Sequence, residues 1–134
     1  MFGEVLGVEL IKQRSLRDCA VCVVAMLTES PYESVLAHNP NYESQPDEQW
    51  IDYIRTLKFR VRRTTLILPG HRYFCIVSKE TEGDPRNSHA IGIDEQGRVF
   101  DPSTRAPDPG VLTVEWYRST PRGLRYIHSV DPAV

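Results

Sequence analysis

An α+β fold is predicted by three features of this sequence. There is a nearly uninterrupted apolar stretch close to the N-terminus, two amphipathic segments of helical period follow it, and the second half consists of short β-rich runs between turn signals. In the first of these, AVCVVAML within a segment from about Arg17 to Thr28 has apolar residues on every side, which suits a helix buried over most of its surface. Two starts are open to it: Ser15 as N-cap of a capping box, or Asp18 itself as N-cap. SPYESVLAH reads as a short amphipathic helix beginning near Ser30 or Pro31. QPDEQWIDYIRTLKF then places Trp50, Tyr53, Ile54 and Leu57 at helical spacing on one apolar face. From Lys58 onward the pattern is that of strands: RVRRTTLIL, HRYFCIVSK, HAIGID, RVFDP and LRYIHSV. Pro-Gly, Gly-Asp-Pro and Glu-Gln-Gly signals separate them.

A chain of 134 residues, 40% apolar and 25% charged, fits one compact domain over residues 1–134, with no repeat or low-complexity linker dividing it. The net charge of −2 argues against a dedicated nucleic-acid surface. The one basic cluster, Lys58, Arg60, Arg62 and Arg63, reads as a solvated strand face. No apolar run approaches the ~18 residues of a membrane span, and MFGEVLGVELIKQ lacks the basic-then-apolar order of a secretory signal. A cytoplasmic location is the expectation. Three cysteines, Cys19, Cys22 and Cys75, are a poor basis for a disulfide framework, so each is read as a reduced thiol, either a small core residue or a chemically employed group.

Position separates the three. Cys22 and Cys75 are flanked by apolar residues and read as core, whereas Asp18-Cys19 stands at the mouth of the buried helix, where unpaired N–H groups and the helix dipole favour a thiolate. A nucleophilic thiolate needs an imidazole to accept and return its proton, and a third group to fix that imidazole's tautomer. Of the four histidines, His38, His71 and His128 read as surface or cap residues. His89 differs because HAIGID and RVFDP flank Asp94-Glu95-Gln96-Gly97, a hairpin signal. A three-residue loop makes Asp94 oppose Arg98, and a four-residue loop makes Ile93 oppose it. In the first register His89 and Asp101 are diagonal neighbours on one face of the sheet, within reach of a hydrogen bond. Acyl chemistry also needs a donor where an oxyanion forms. The backbone N–H of Cys19 is one such donor, and the side-chain amide of Gln13, six positions upstream, is a candidate for the second.

Taken together, Gln13, Asp18-Cys19 opening an apolar helix that contains Ala25-Met26-Leu27, a strand beginning His89-Ala90, and Asp101-Pro102 closing the next strand resemble papain-like cysteine peptidases. The likeness is to the compact bacterial branch that includes the double-glycine-leader peptidases attached to bacteriocin exporters. It runs from about Gln13 to Pro102. The resemblance implies a papain-like fold, with the catalytic helix and two short helices packed on an antiparallel sheet. It also implies a Cys-His-Asp triad in which Cys19 is the nucleophile, His89 the general base and acid, Asp101 the orienting acid and Gln13 the oxyanion donor. Ala20 stands where the branch commonly has Gly, and no transporter domain lies within these 134 residues, so the leader-peptide substrate does not carry over.

The expected activity is hydrolysis of a peptide or isopeptide bond in a protein or peptide substrate, with no cofactor, metal, nucleic acid or membrane span. Oligomeric state is left open. The same groups also serve acyl transfer and glutamine deamidation, and an inactive papain-like binding domain is a further alternative. Cys19-Ala20-Val21-Cys22 is a CxxC at a helix start. However, a thioredoxin-like site follows a buried strand, whereas here the polar stretch QRSLRD precedes the motif. A zinc site built on these cysteines would lack a second closely spaced ligand pair. Tyr73, Phe74, Trp116 and Tyr117 are read as aromatic strand residues, which are more often core than cleft.

Overall fold

The computed structural model describes residues 8–77, 89–119 and 123–133. Three helices come first: α1 (Cys19–Thr28), α2 (Tyr32–His38) and α3 (Asp47–Thr56), with one 3-10 turn at Tyr42–Ser44. Strands β1 (Phe59–Thr64), β2 (Arg72–Val77), β3 (His89–Ile93) and β4 (Val99–Phe100) follow, then a fourth helix α4 (Val114–Ser119) and the long strand β5 (Leu124–Pro132). All pairings are antiparallel and the sheet order is β1-β5-β2-β3-β4, so the last strand enters between β1 and β2. This is the α+β architecture expected from the sequence. The first expected strand, however, ends at Thr64, short of Leu68. Ser78, Lys79 and the Gly-Asp-Pro signal lie outside the described residues.

The sheet is covered on both faces. On one, Val61, Phe74, Ile76, Ala90, Phe100 and Val130 pack with α1, Val35, Trp50 and Ile54. On the other, Tyr73, Cys75, Val77, Ile91, Ile93, Val99 and Ile127 pack around Tyr117 of α4. That helix was not foreseen, and Trp116 and Tyr117 had been placed on a strand. Thr113 starts α4 locally, its Oγ1 accepting the Trp116 N–H at 3.1 Å. The basic residues of β1 are exposed, with Arg63 stacked 4.5 Å from the Tyr126 ring centroid, as a solvated strand face requires.

Residues 21–28 of α1 are all buried, which explains a helix with hardly any polar face. It reaches the sheet at Gly92, where an added Cβ would lie 3.3 Å from Leu27 Cδ2 and 3.5 Å from Val23 Cγ1. Leu27 is fully buried and has no room to retreat. Gly92→Ala is therefore expected to push α1 outward and cost about 1–2 kcal/mol, measurable as a lower urea midpoint. An unchanged midpoint would mean that the helix–sheet contact is loose.

No single helix among the described residues is long and apolar enough to cross a membrane. The pair α1 and α2 passes by length and composition only when joined across a 120° bend.

Candidate active site

The β3–β4 hairpin adopts the three-residue loop. Ile93 pairs with Val99 and Gly92 with Phe100, and the Asp94 N–H donates to the Arg98 carbonyl at 3.1 Å. Gly97 takes the left-handed conformation at φ 80°, and the Asp94 carboxylate accepts the N–H groups of Gln96 and Arg98 inside the loop. With this register, His89 and Asp101 are diagonal neighbours on one face. Their side chains meet, with His89 Nε2 2.6 Å from Asp101 Oδ1.

An ionised Asp101 can only accept, so this bond places a proton on Nε2 and leaves Nδ1 as the ring nitrogen for the thiol of Cys19. Cys19 is the half-buried first residue of α1, and its thiol is near enough to His89 to help raise the imidazole. The structure thus brings Cys19, His89 and Asp101 into one chain of contacts. Burial by itself would push the His89 imidazole down. Hydrogen bonds to Asp101 and Cys19, with their charges, outweigh it and hold the ring up to about 9.

Asp101 is fixed through both carboxylate oxygens. Oδ1 also accepts the Ser103 N–H at 2.9 Å, and Oδ2 accepts the Tyr117 hydroxyl at 2.5 Å. Burial raises this carboxyl, but His89, Tyr117 and Ser103 together bring it below the ordinary carboxylate range. The involvement of Tyr117 was missed because α4 was missed. Thr113 followed by an acidic first-turn residue, Glu115, was the available signal.

Asp18 occupies the N-cap position of α1, yet its side chain makes no capping bond, and Ser15 Oγ lies on the Arg17 N–H at 3.4 Å instead. Neither expected cap is built. The fully buried Asp18 carboxylate turns back onto the preceding segment, where it accepts the N–H groups of Arg14 (3.0 Å) and Ser15 (3.2 Å) and the Tyr32 hydroxyl (2.6 Å). Burial raises its carboxyl, and these donors, Tyr32 first, more than compensate and hold it below its usual value. Because Asp18 faces away, its carboxylate does not occupy the first N–H groups of α1.

Gln13 lies on that segment, its backbone N–H bonded to the Pro102 carbonyl at 2.8 Å, next to Asp101. Lys12 strengthens the link, its Nζ donating to the carbonyls of Ser103 (2.9 Å) and Ala106 (3.1 Å). The Gln13 amide Nε2 donates to Ser15 O at 3.1 Å and to Asp18 Oδ1 at a weaker 3.4 Å. Turning toward an oxyanion would require giving up the longer bond.

The remaining histidines and cysteines are occupied elsewhere. His38 Nδ1 is 2.8 Å from Ser34 O, and His71 Nδ1 is 2.8 Å from Asp131 Oδ1. His128, expected at the surface, is buried on β5 with its ring centroid 6.2 Å from that of Phe74, because β5 enters the middle of the sheet. Burial pushes the Cys22 thiol up to about 12, reinforced by the Asp18 and Cys19 charges, and raises Cys75 as well. Both thiols are therefore held protonated. A thiol at a helix N-terminus, joined to an imidazole whose far nitrogen is fixed by a carboxylate, is an arrangement that can carry an acyl group as a thioester.

No family model and no curated protein matches the sequence. Among solved structures, the fold matches the crystal structure of a double glycine motif protease from an AMS/PCAT transporter in complex with the leader peptide. The TM-score is 0.61 at 14% identity, covering 93% of this chain and 91% of that one. The chain therefore shares the fold of that double glycine motif protease.

Proposed function

We propose that the protein is a cysteine hydrolase that cleaves a peptide or isopeptide bond through a thioester on Cys19. One observation carries this reading: His89 Nε2 lies on the Asp101 carboxylate at 2.6 Å, and the Cys19 thiol acts on the same imidazole. In the proposed reaction His89 Nδ1 takes the thiol proton, and Cys19 Sγ attacks the carbonyl carbon. The C–N bond then breaks as the imidazolium returns that proton to the leaving amine. Water next attacks the thioester, giving one proton to His89, and the acid departs as Cys19 Sγ leaves. The negative oxygen of each tetrahedral intermediate is received by the Cys19 N–H and, after its amide turns from Asp18, by Gln13. A peptide substrate is in keeping with the similar double-glycine protease, which was solved with a leader peptide bound.

The test is iodoacetamide alkylation as a function of pH, with the modified residue located by peptide mapping. Cys19 alone is expected to react fast at about pH 6, since Cys22 and Cys75 are held as thiols. In His89→Ala that reactivity is expected to fall at least about tenfold. A Cys19 that reacts only above about pH 8, with or without His89, is an ordinary thiol, and the proposal would be abandoned.

A further inference from the structure

We infer that Tyr117 is a positioning residue of the candidate active site, acting on His89 through Asp101; this rests on the reading of Cys19, His89 and Asp101 given above. A carboxylate held through one oxygen still rotates about its Cβ–Cγ bond, and each rotation would carry the acceptor away from Nε2. Asp101 is denied that freedom. His89 and the Ser103 N–H fix Oδ1 at 2.6 and 2.9 Å, and among the described residues only the Tyr117 hydroxyl fixes Oδ2, at 2.5 Å. The other two bonds come from residues on or next to the hairpin that carries Asp101, so both move with it. Tyr117 comes from α4, on the face of the sheet that α1 does not cover, where its ring is buried with Tyr73, Cys75, Ile91 and Ile127. It therefore references the carboxylate to the core.

The hydroxyl also has an electrostatic consequence. A neutral donor on Oδ2 stabilises the ionised carboxylate, and an ionised Asp101 is the form that supports an imidazolium at His89 and hence a thiolate at Cys19. Removing the donor makes Asp101 easier to protonate, so the pair should fail at a higher pH as the solution is acidified.

The experiment compares iodoacetamide alkylation of Cys19 from pH 4 to 10 in the native protein, Tyr117→Phe and Tyr73→Phe. Tyr73 is the structural control. It is buried in the same cluster, but its hydroxyl lies against the backbone of Leu68, at 2.8 Å from the nitrogen and 3.3 Å from the oxygen. Tyr117→Phe is expected to move the acid limb of the alkylation profile upward by about one pH unit and to lower the rate at pH 6 several-fold. Tyr73→Phe is expected to leave the profile in place even where its midpoint of unfolding falls. In an Asp101→Ala background, Tyr117→Phe should have no further effect on Cys19, because the two residues act in series.

Matching profiles in Tyr117→Phe and Tyr73→Phe would overturn the positioning role while leaving the hydrolase reading intact. A native Cys19 that is unreactive at pH 6 would instead remove the reading on which the inference rests. Should Tyr117→Phe fail to fold, 3-fluorotyrosine at position 117 keeps the ring and strengthens the donor. The acid limb should then shift downward, and no shift would count against the proposal.

Discussion

Asp101→Ala is expected to slow acylation of Cys19 by an activated peptidyl ester by roughly 10⁴-fold, the loss seen when the orienting acid of a triad is removed. The substitution removes the acceptor at 2.6 Å from Nε2, so the ring turns freely and its tautomer is no longer set. It also removes one of the groups that hold the His89 imidazole up to about 9 against the opposing effect of burial. The loss in folding stability should be smaller, about 1–3 kcal/mol, from leaving Tyr117 and the Ser103 N–H without their acceptor.

Asp101→Asn separates orientation from charge. Its amide oxygen can accept from Nε2 and Ser103, while its NH₂ can donate to the Tyr117 oxygen, so it should retain much of the rate that Ala loses. Equal losses in Ala and Asn would show that charge, not orientation, is what Asp101 supplies. A drop in stability larger than the drop in rate would make Asp101 a structural residue.

The raised His89 value also sets a pH window. With an unfolded value near 6.5 and a folded value about 9, the imidazolium contributes to stability fully below about pH 6.5 and loses that contribution as pH rises through 9. Turnover that requires an imidazolium to protonate the leaving amine should fall over the same alkaline range.

Arg72→Met is expected to cost about 3 kcal/mol of stability, the low end for breaking a buried ion pair, because the two carboxylates it would strand are partly exposed and can rehydrate. Arg72 is fully buried at the start of β2. Its Nε donates to Glu95 at 2.8 Å, and its Nη1 donates to the Leu27 carbonyl at 3.0 Å and to Glu29 at 3.1 Å. One guanidinium thereby joins the C-terminus of α1 to the loop of the β3–β4 hairpin. Glu29 is bound to it from a left-handed backbone conformation, φ 55°, at the C-cap of α1.

Since α1 starts with Cys19 and the hairpin carries His89 and leads to Asp101, this link sets the height of one relative to the other. In Arg72→Met the loss of stability should be accompanied by slower alkylation of Cys19 at pH 6. The urea midpoint and the alkylation rate, measured on the same sample, check both. Acid should weaken the same link. The Glu95 carboxyl is raised by burial but held below its usual range by Arg72, so its contribution is fully present above the ordinary value of 4.5 and is lost as pH falls through the depressed one.

The elements most legible in the sequence were those whose signals are local. AVCVVAML announced a helix buried on most sides, and Asp94-Glu95-Gln96-Gly97 announced a hairpin, because period and turn chemistry act over a few residues. Hairpin geometry carried further: once Gly97 closes a three-residue loop, strand period alone makes His89 and Asp101 diagonal neighbours. The helix α4 was not legible, since six residues with one cap give little periodic signal beside two aromatic residues that also suit a strand.

The partners far apart in the chain were fixed by packing. Asp18 turns from the helix it begins to meet Tyr32, Arg72 crosses to Leu27 and Glu95, and Tyr117 reaches from α4 to Asp101. Composition and spacing thus determined an α+β chain with a thiol at the mouth of a buried helix and a His–Asp pair on a hairpin. Which side of the imidazole meets the thiol, which donors hold each carboxylate, and how helix and hairpin are clamped together were set by packing. Burial makes every polar group find a partner, and that partner can lie anywhere the folded chain places a donor or an acceptor.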